Sequence, residues 1–266
     1  RWDVTLRAKQ DMTEAHHSTS IQPHIAVVIP AYQEERLLPI TLQSLPDQVR
    51  SIIVVDDAST DATRARALDF AQQAHYLGTH RVRILTLHEN SGVGRAICIG
   101  YLEALGLGAD IAVVMGADAQ MDPKELCGLV DALSDEVAYV KGDRMNHPEV
   151  RKRMPHIRYW GNRCLSCCTG VLMGFHKLSD AQCGYTALDL RWLSKIPLAH
   201  LYPRYGFPND LLLRLQEEGA QISQVQVTPI YATEQSKLSI PKVILPILGV
   251  FIRAIVRKLF IHPLSR

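Results

Sequence analysis

Residues Ile25-Ala-Val-Val-Ile29 form a continuous apolar run closed by Pro30, and Ile52-Ile-Val-Val55 form a second closed by Asp56-Asp57. Runs without polar alternation are what a strand buried on both faces requires, the usual state of a strand in a parallel sheet. Residues 82–87 and 111–115 repeat the pattern, and the stretches between, 35–44, 62–74 and 94–107, have helical patterning and crossover length. The alternation predicts an α/β fold: a Rossmann-like, mixed but mostly parallel sheet with helices on both faces. Ligands of such sheets bind beyond the carboxyl ends of the strands. Pro30-Ala-Tyr-Gln-Glu34, Asp56-Asp57, Glu89-Asn90 and Gly116-Ala-Asp118 should therefore converge on one crevice.

Past Val137-Ala-Tyr-Val140 the alternation weakens. A helical pattern over 150–175 leads into Asp180-Ala-Gln-Cys-Gly-Tyr185, a shorter helix over 210–218 stops at Gly219 as at a C-cap, and an alternating strand covers 221–227. No repeat or low-complexity linker interrupts the chain. The expected organisation is a polar lead-in over 1–22, one domain over 23–239 and a C-terminal helix over 240–266. At about 100° per residue, Lys242, Gly249, Arg253 and Arg257 fall on one stripe of that helix, while Val243, Ile244, Leu248, Phe251, Ile255 and Phe260 cover the rest. This pattern predicts an interfacial helix on an anionic membrane surface; an apolar helix that closes the core, kinked at Pro246, is the other reading.

With 47% hydrophobic and 21% charged residues, the 266-residue chain can bury a large core and has no compositional sign of disorder. The net charge of +2 supplies no basic field of the kind nucleic-acid binding needs. The six cysteines follow no disulfide-framework spacing, which points to a reducing compartment. Cys164-Leu-Ser-Cys167-Cys168 lacks the second pair a zinc site needs and reads as core packing. Residues 1–22 show no signal-peptide pattern, and the uncharged apolar stretch over 243–252 is well short of the roughly 20 residues that span a bilayer.

Carboxylates at the ends of three strands are costly to cluster unless a cation or hydrogen-bond donors sit between them. A nucleotide base and a divalent metal both serve. The ordered set Val27-Val-Ile-Pro-Ala-Tyr-Gln-Glu34, Ile53-Val-Val-Asp-Asp-Ala-Ser-Thr-Asp61, Asn90-Ser-Gly-Val-Gly94, Gly116-Ala-Asp-Ala-Gln-Met-Asp-Pro123, Gly142-Asp-Arg144 and Asp180-Ala-Gln-Cys-Gly-Tyr185 resembles the motifs of family 2 glycosyltransferases of the GT-A fold. Within that family the likeness is to polyprenyl- and dolichyl-phosphate glucosyl- and mannosyltransferases, and it covers residues 24–240.

The resemblance implies a UDP- or GDP-hexose donor framed by Pro30, Tyr32, Glu34, Asp56, Asp57, Asn90, Gly116 and Ala117. It implies Mg²⁺ or Mn²⁺ held by Asp118 and Gln120, and a catalytic set of Asp118, Arg144, Asp180 and Asp210. It also implies a polyprenyl-phosphate acceptor met by Gln182 and Tyr185, with Arg204 and Lys237 on its phosphate, at the cytoplasmic face of a membrane. Two positions depart from the family pattern: Gly116 stands where Asp is usual, and Val93 where Lys is common. Asp56-Asp57 and Asp210 also suit helix N-caps, and Arg144 a surface ion pair. Gly116 leaves a second reading, a non-catalytic GT-A module that binds nucleotide or lipid as a scaffold. A dinucleotide oxidoreductase is disfavoured, because Gly92-Val-Gly94 follows the third strand and Ile97 stands where a third Gly is needed.

Overall fold

The computed structural model describes residues 22–78, 80–173, 178–231 and 240–260, so most of the predicted lead-in, residues 1–21, lies outside it. The strands β1 (Ile25–Ala31), β2 (Val49–Asp56), β3 (Arg81–Thr86) and β4 (Ile111–Val114) pair in parallel in the order β3-β2-β1-β4. Residues 26–29 and 52–55 are fully buried, as the unbroken apolar runs require. The crossovers are α1 (Leu38–Gln43), α2 (Thr63–Leu77) and α3 (Val93–Gly106). The first is shorter than predicted because Pro39 sits in its first turn, where the missing N–H costs nothing.

The second half departs from simple alternation. After α4 (Leu126–Asp131), β5 (Val137–Asp143) and β7 (Gln221–Gln226) extend the sheet, and β6 (Thr186–Asp189) inserts antiparallel between β4 and β5. The order is β3-β2-β1-β4-β6-β5-β7. The single helix predicted over 150–175 is two, α5 (Val150–Arg153) and α6 (His156–Met173). Pro155 explains the break: the residue before proline is driven extended, and Met154 has ψ 130°. The helix predicted from residue 210 starts earlier as α7 (Phe207–Glu217), with Pro208 in its first turn.

Each strand sends alternate residues to opposite faces, which divides the core in two. Val28 and Val55 pack with α3, α7 and the last helix, α8 (Ile240–Phe260); Val27, Ile29 and Val54 pack with α1 and α4. Helix α8 buries Ile247, Val250, Phe251 and Ala254 against the body and exposes Leu248, Ile252, Ile255 and Val256. Two details correct the sequence reading. Phe251 belongs to the core face, and Arg257 folds back onto Glu217 at 3.1 Å instead of joining the cationic stripe. The cysteine expectation holds for Cys98 and Cys183, which are buried, but Cys164, Cys167 and Cys168 are exposed on the outer face of α6. Among the described residues no helix is long and apolar enough to cross a membrane.

Candidate active site

The crevice begins where β1, β2 and β4 end. Gln33 (φ 56°), Ala58 (φ 60°) and Ala119 (φ 53°) are the non-glycine residues with left-handed backbone among the described residues, and each follows one of these strands. Such conformations cost about 1–3 kcal/mol and persist only where neighbours enforce them. Here the neighbours are hydroxyls: Gln33 N–H donates to Ser59 Oγ at 2.9 Å, Glu34 N–H to Thr63 Oγ1 at 2.8 Å, and Ala119 N–H to Thr41 Oγ1 at 3.2 Å. Pro30, Tyr32 and Glu34 thereby share one rim, with Tyr32 exposed to solvent.

Asp56 lies at the carboxyl end of β2 and is 1% exposed. Its Oδ1 accepts from Ser59 N–H at 3.1 Å, whereas its buried Oδ2 has no hydrogen-bond partner. Asp57 differs: Oδ1 accepts from Ser91 N–H at 2.7 Å and Oδ2 from Gly92 N–H at 2.8 Å, so both oxygens brace the turn after β3. Asn90 in that turn is tied to Arg204, whose guanidinium donates to its side-chain and main-chain oxygens, each at 3.0 Å. The glycines here serve close approach. A Cβ on Gly92 would lie 2.5 Å from Arg204 Cγ, and one on Gly94 would lie 2.5 Å from Phe207 Cβ.

Asp118, Gln120, Arg144 and Tyr185 meet in a cavity of about 180 Å³, joined by Gly184 and Thr228. A larger groove of about 890 Å³ at the β3 edge, lined by Leu68, His75, Arg81 and Leu107, brings no carboxylates together. Asp118 Oδ1 accepts from Gln120 N–H at 3.1 Å. Gly116 and the buried Ala117 precede it. Gly116 has no positive φ, and a Cβ there would lie 3.0 Å from Asp118 Oδ1, so its smallness spares Asp118 rather than a backbone turn.

Arg144 forms a two-pronged pair with Asp180, Nε to Oδ2 at 2.8 Å and Nη2 to Oδ1 at 3.1 Å. Asp180 is fully buried. Burial works to raise its pKa, but the Arg144 charge and hydrogen bonds, with help from Lys141, outweigh that and hold the carboxyl below its usual range. Arg144 accordingly stays protonated despite its own desolvation. Lys141 was not singled out from sequence. It is fully buried beneath the pair, its Nζ donates to the Cys183 carbonyl, and desolvation lowers its pKa to about 8.

Of the other predicted residues, Tyr185 lines this cavity, whereas Gln182 and Asp210 do not. Gln182 Nε2 donates to Asn209 Oδ1 at 3.2 Å, and the buried Tyr185 hydroxyl to the Asp122 carbonyl at 3.1 Å. Asp210 is 1% exposed; its Oδ2 accepts from Tyr202 N–H at 2.9 Å and its Oδ1 faces Arg257 at 3.7 Å. Lys237 lies outside the described residues. The donor set suits a hard divalent ion only in part: one carboxylate, Asp118, and one amide oxygen, Gln120, need phosphate and water oxygens to complete an octahedron. Among the described residues no group of three or more His, Cys, Asp or Glu side chains is placed to hold a metal alone.

The family model described as glycosyl transferase family 2 matches residues 26–195. The UDP-N-acetylglucosamine–dolichyl-phosphate N-acetylglucosaminyltransferase of Methanococcus voltae is 30% identical over 221 residues, covering 80% of this chain and 87% of that protein. The undecaprenyl-phosphate mannosyltransferase of Micrococcus luteus is 32% identical over 213 residues, 77% of this chain and 82% of that one. Among solved structures, glucosyl-3-phosphoglycerate synthase of Mycobacterium tuberculosis in complex with UDP superposes with a TM-score of 0.65 at 20% identity, over 87% of this chain and 80% of that one. That likeness establishes the GT-A fold.

Proposed function

The chain belongs to glycosyl transferase family 2, and from that membership we propose that it transfers a hexose from a UDP- or GDP-linked donor to a polyprenyl phosphate, as a peripheral enzyme at the cytoplasmic face of a membrane. The observation that carries the reading is a buried Asp56 oxygen without a partner at the end of β2, with a cavity holding Asp118 and Arg144 on the far side of β1. A buried acceptor left unsatisfied costs about 1–3 kcal/mol, and a base N–H would satisfy it. The cavity is below the about 300–1,000 Å³ of ordinary small-molecule pockets, which suits the diphosphate and sugar while the nucleoside lies on the open rim of Pro30, Tyr32 and Glu34.

An acceptor phosphate is largely a dianion at neutral pH, its second pKa being about 6, so the attacking oxygen needs no strong base. The burden falls on the leaving diphosphate. Arg144 is the cation positioned for it, pre-oriented by Asp180 so that no reorganisation is needed as charge develops. Asp118 and Gln120 would hold Mg²⁺ or Mn²⁺, which supplies further neutralisation of the leaving group. Asp180 and Asp210 are positioning residues, since both are buried and engaged with protein groups. Asp57 acts at one remove, by fixing the turn that carries Asn90. Arg204 remains the proposed partner of the acceptor phosphate, with two of its donors held by Asn90. Single displacement inverts the anomeric carbon.

A thermal-shift panel of UDP- and GDP-sugars with and without Mn²⁺ tests the donor half of this reading. One nucleotide class should stabilise the protein by mass action, more so with Mn²⁺. No shift with any nucleotide sugar overturns the reading.

A further inference from the structure

Lys141 is fully buried, a place lysine almost never takes unless it is paired. Its Nζ donates to the Cys183 carbonyl. Burial lowers its pKa to about 8, against the raising influence of Cys183 and Asp180 and with the help of Arg144. The influence is mutual, since Lys141 helps to hold the Asp180 carboxyl below its usual range. A well-packed apolar residue would fill the same strand position without the desolvation of a charge. The ammonium itself therefore calls for a use.

Asp180 thus faces two cations. Clasped by Asp180 alone, the Arg144 guanidinium would belong to a nearly neutral pair and attract an anion weakly. With Lys141 added, the group Lys141, Asp180 and Arg144 carries one net positive charge, and Arg144 is its member on the cavity wall. The other surroundings of Lys141 leave that charge in place. Its register neighbours on β6 and β7, Thr186 and Gln224, are uncharged, and α4 packs against Val140 on the opposite side of the pleat. Asp143, two residues along β5, engages the Met145 and Asn146 amides, the Asn146 side chain and the Ser179 hydroxyl. Burial raises the Cys183 thiol and the Tyr231 phenol, so both stay neutral, and Arg144 stays protonated. Lys141 is the member of this group whose charge changes near pH 8.

We propose that Lys141 is a positioning residue for phosphate binding: acting through Asp180, its ammonium leaves the Arg144 guanidinium with the net positive charge that meets a phosphate in the cavity. This rests on the transferase reading and deepens it by naming the buried charge that lets Arg144 receive its ligand. The ligand is the donor diphosphate or the acceptor phosphate, which present the same oxygens to a guanidinium. The sign of the pH effect follows. Below about pH 8 the group is cationic, and above it a neutral Lys141 leaves only the Arg144–Asp180 pair. Proton and phosphate therefore bind with mutual support, each raising the other's affinity by the same factor.

The test is calorimetric binding of UDP, GDP and a short-chain polyprenyl phosphate, each with Mg²⁺, from about pH 7 to about pH 9.5, a range over which phosphates of second pKa about 6 keep their charge. Wild type should bind at least one of the three about tenfold more weakly at the upper end, the order of one unit charge acting at roughly 10 Å through an effective dielectric of about 20. A loss confined to UDP or GDP assigns the charge to the donor diphosphate, and one confined to the polyprenyl phosphate assigns it to the acceptor; either supports the proposal. Lys141→Met should bind that ligand about tenfold more weakly than wild type at about pH 7, with no further loss at about pH 9.5. The same pH dependence in variant and wild type overturns the proposal, as does a wild-type affinity that stays constant while the variant is weakened, which makes Lys141 a clamp on the Cys183 carbonyl and nothing more. Absence of binding by all three ligands overturns it too. The wild-type profile decides alone if the variant does not fold. Failure of glycosyl transfer with pH-dependent phosphate binding intact would instead sink the transferase reading.

Discussion

Asp56 and Asp57 stand side by side and are used differently. Asp57 spends both oxygens on the Ser91 and Gly92 amides, whereas Asp56 keeps one buried oxygen without a partner. Asp56→Asn should therefore weaken nucleoside diphosphate binding about 10–100-fold, the equivalent of a charged hydrogen bond of about 1.5–3 kcal/mol, with no loss of thermal stability. Calorimetry checks it, and unchanged affinity would place the base elsewhere. Gly116 bears on the metal in the same way. With one carboxylate and one amide, Mn²⁺ should bind the free protein weakly and nucleoside diphosphate should tighten it, each raising the other's affinity by the same factor. Because the backbone at Gly116 is ordinary and a Cβ would displace Asp118 only slightly, Gly116→Asp should raise Mn²⁺ affinity in the absence of nucleotide; titration of the free variant decides it. The positions of Asp56, Asp118 and Arg144 could be picked out because Asp56 ends β2 and the other two follow β4 and β5. Lys141 was not: a lone lysine inside Val137-Ala-Tyr-Val-Lys141 reads as a solvated strand position, and only the fold shows Cys183 and Asp180 closing over it.

Elements show where pattern reading runs out. The four parallel strands announced themselves through unbroken apolar runs. Strand β6 did not, because its four residues hold an antiparallel place through neighbours distant in sequence. Helix α6 was legible as a helix but not in its facing, since a polar inner side reverses the usual rule and its cysteines, expected inside, lie outside. Helix α8 is pinned by Arg257, which is largely buried between Glu217 and Asp210. Arg257→Ala removes the cation facing Asp210 and one of the two facing Glu217, the other being Arg214 at 3.6 Å, and should destabilise the fold by about 3 kcal/mol in urea unfolding. The same change frees Asp210, which holds Tyr202 and hence the loop bearing Arg204. Lys141 gives β5 a pH signature. Burial lowers its folded pKa to about 8 from 10.5, so between those values the unfolded chain binds the extra proton. Stability of wild type relative to Lys141→Met should therefore rise with pH from about 8 to 10.5 and be flat below; a falling difference over that window contradicts the buried ammonium.

At the scale of the whole molecule, the sheet order sets the loops after β1 and β2 beside the cavity that lies past the ends of β4 and β5. The Asp180–Tyr185 loop is braced by helix α6, where Ser166 Oγ accepts from Ala181 N–H at 2.9 Å. On the reading proposed above, a nucleotide sugar would reach this crevice from the open rim of Pro30, Tyr32 and Glu34. The most direct measurement incubates the purified chain with Mn²⁺, the nucleotide sugar that stabilises it and a short-chain polyprenyl phosphate, and follows the glycosyl phospholipid by mass spectrometry and the nucleoside diphosphate released. The account predicts one product per diphosphate, with an inverted anomeric centre, and loss of turnover in Asp118→Ala while its unfolding transition is preserved. Donor binding without any transfer, or full turnover by Asp118→Ala, would contradict it.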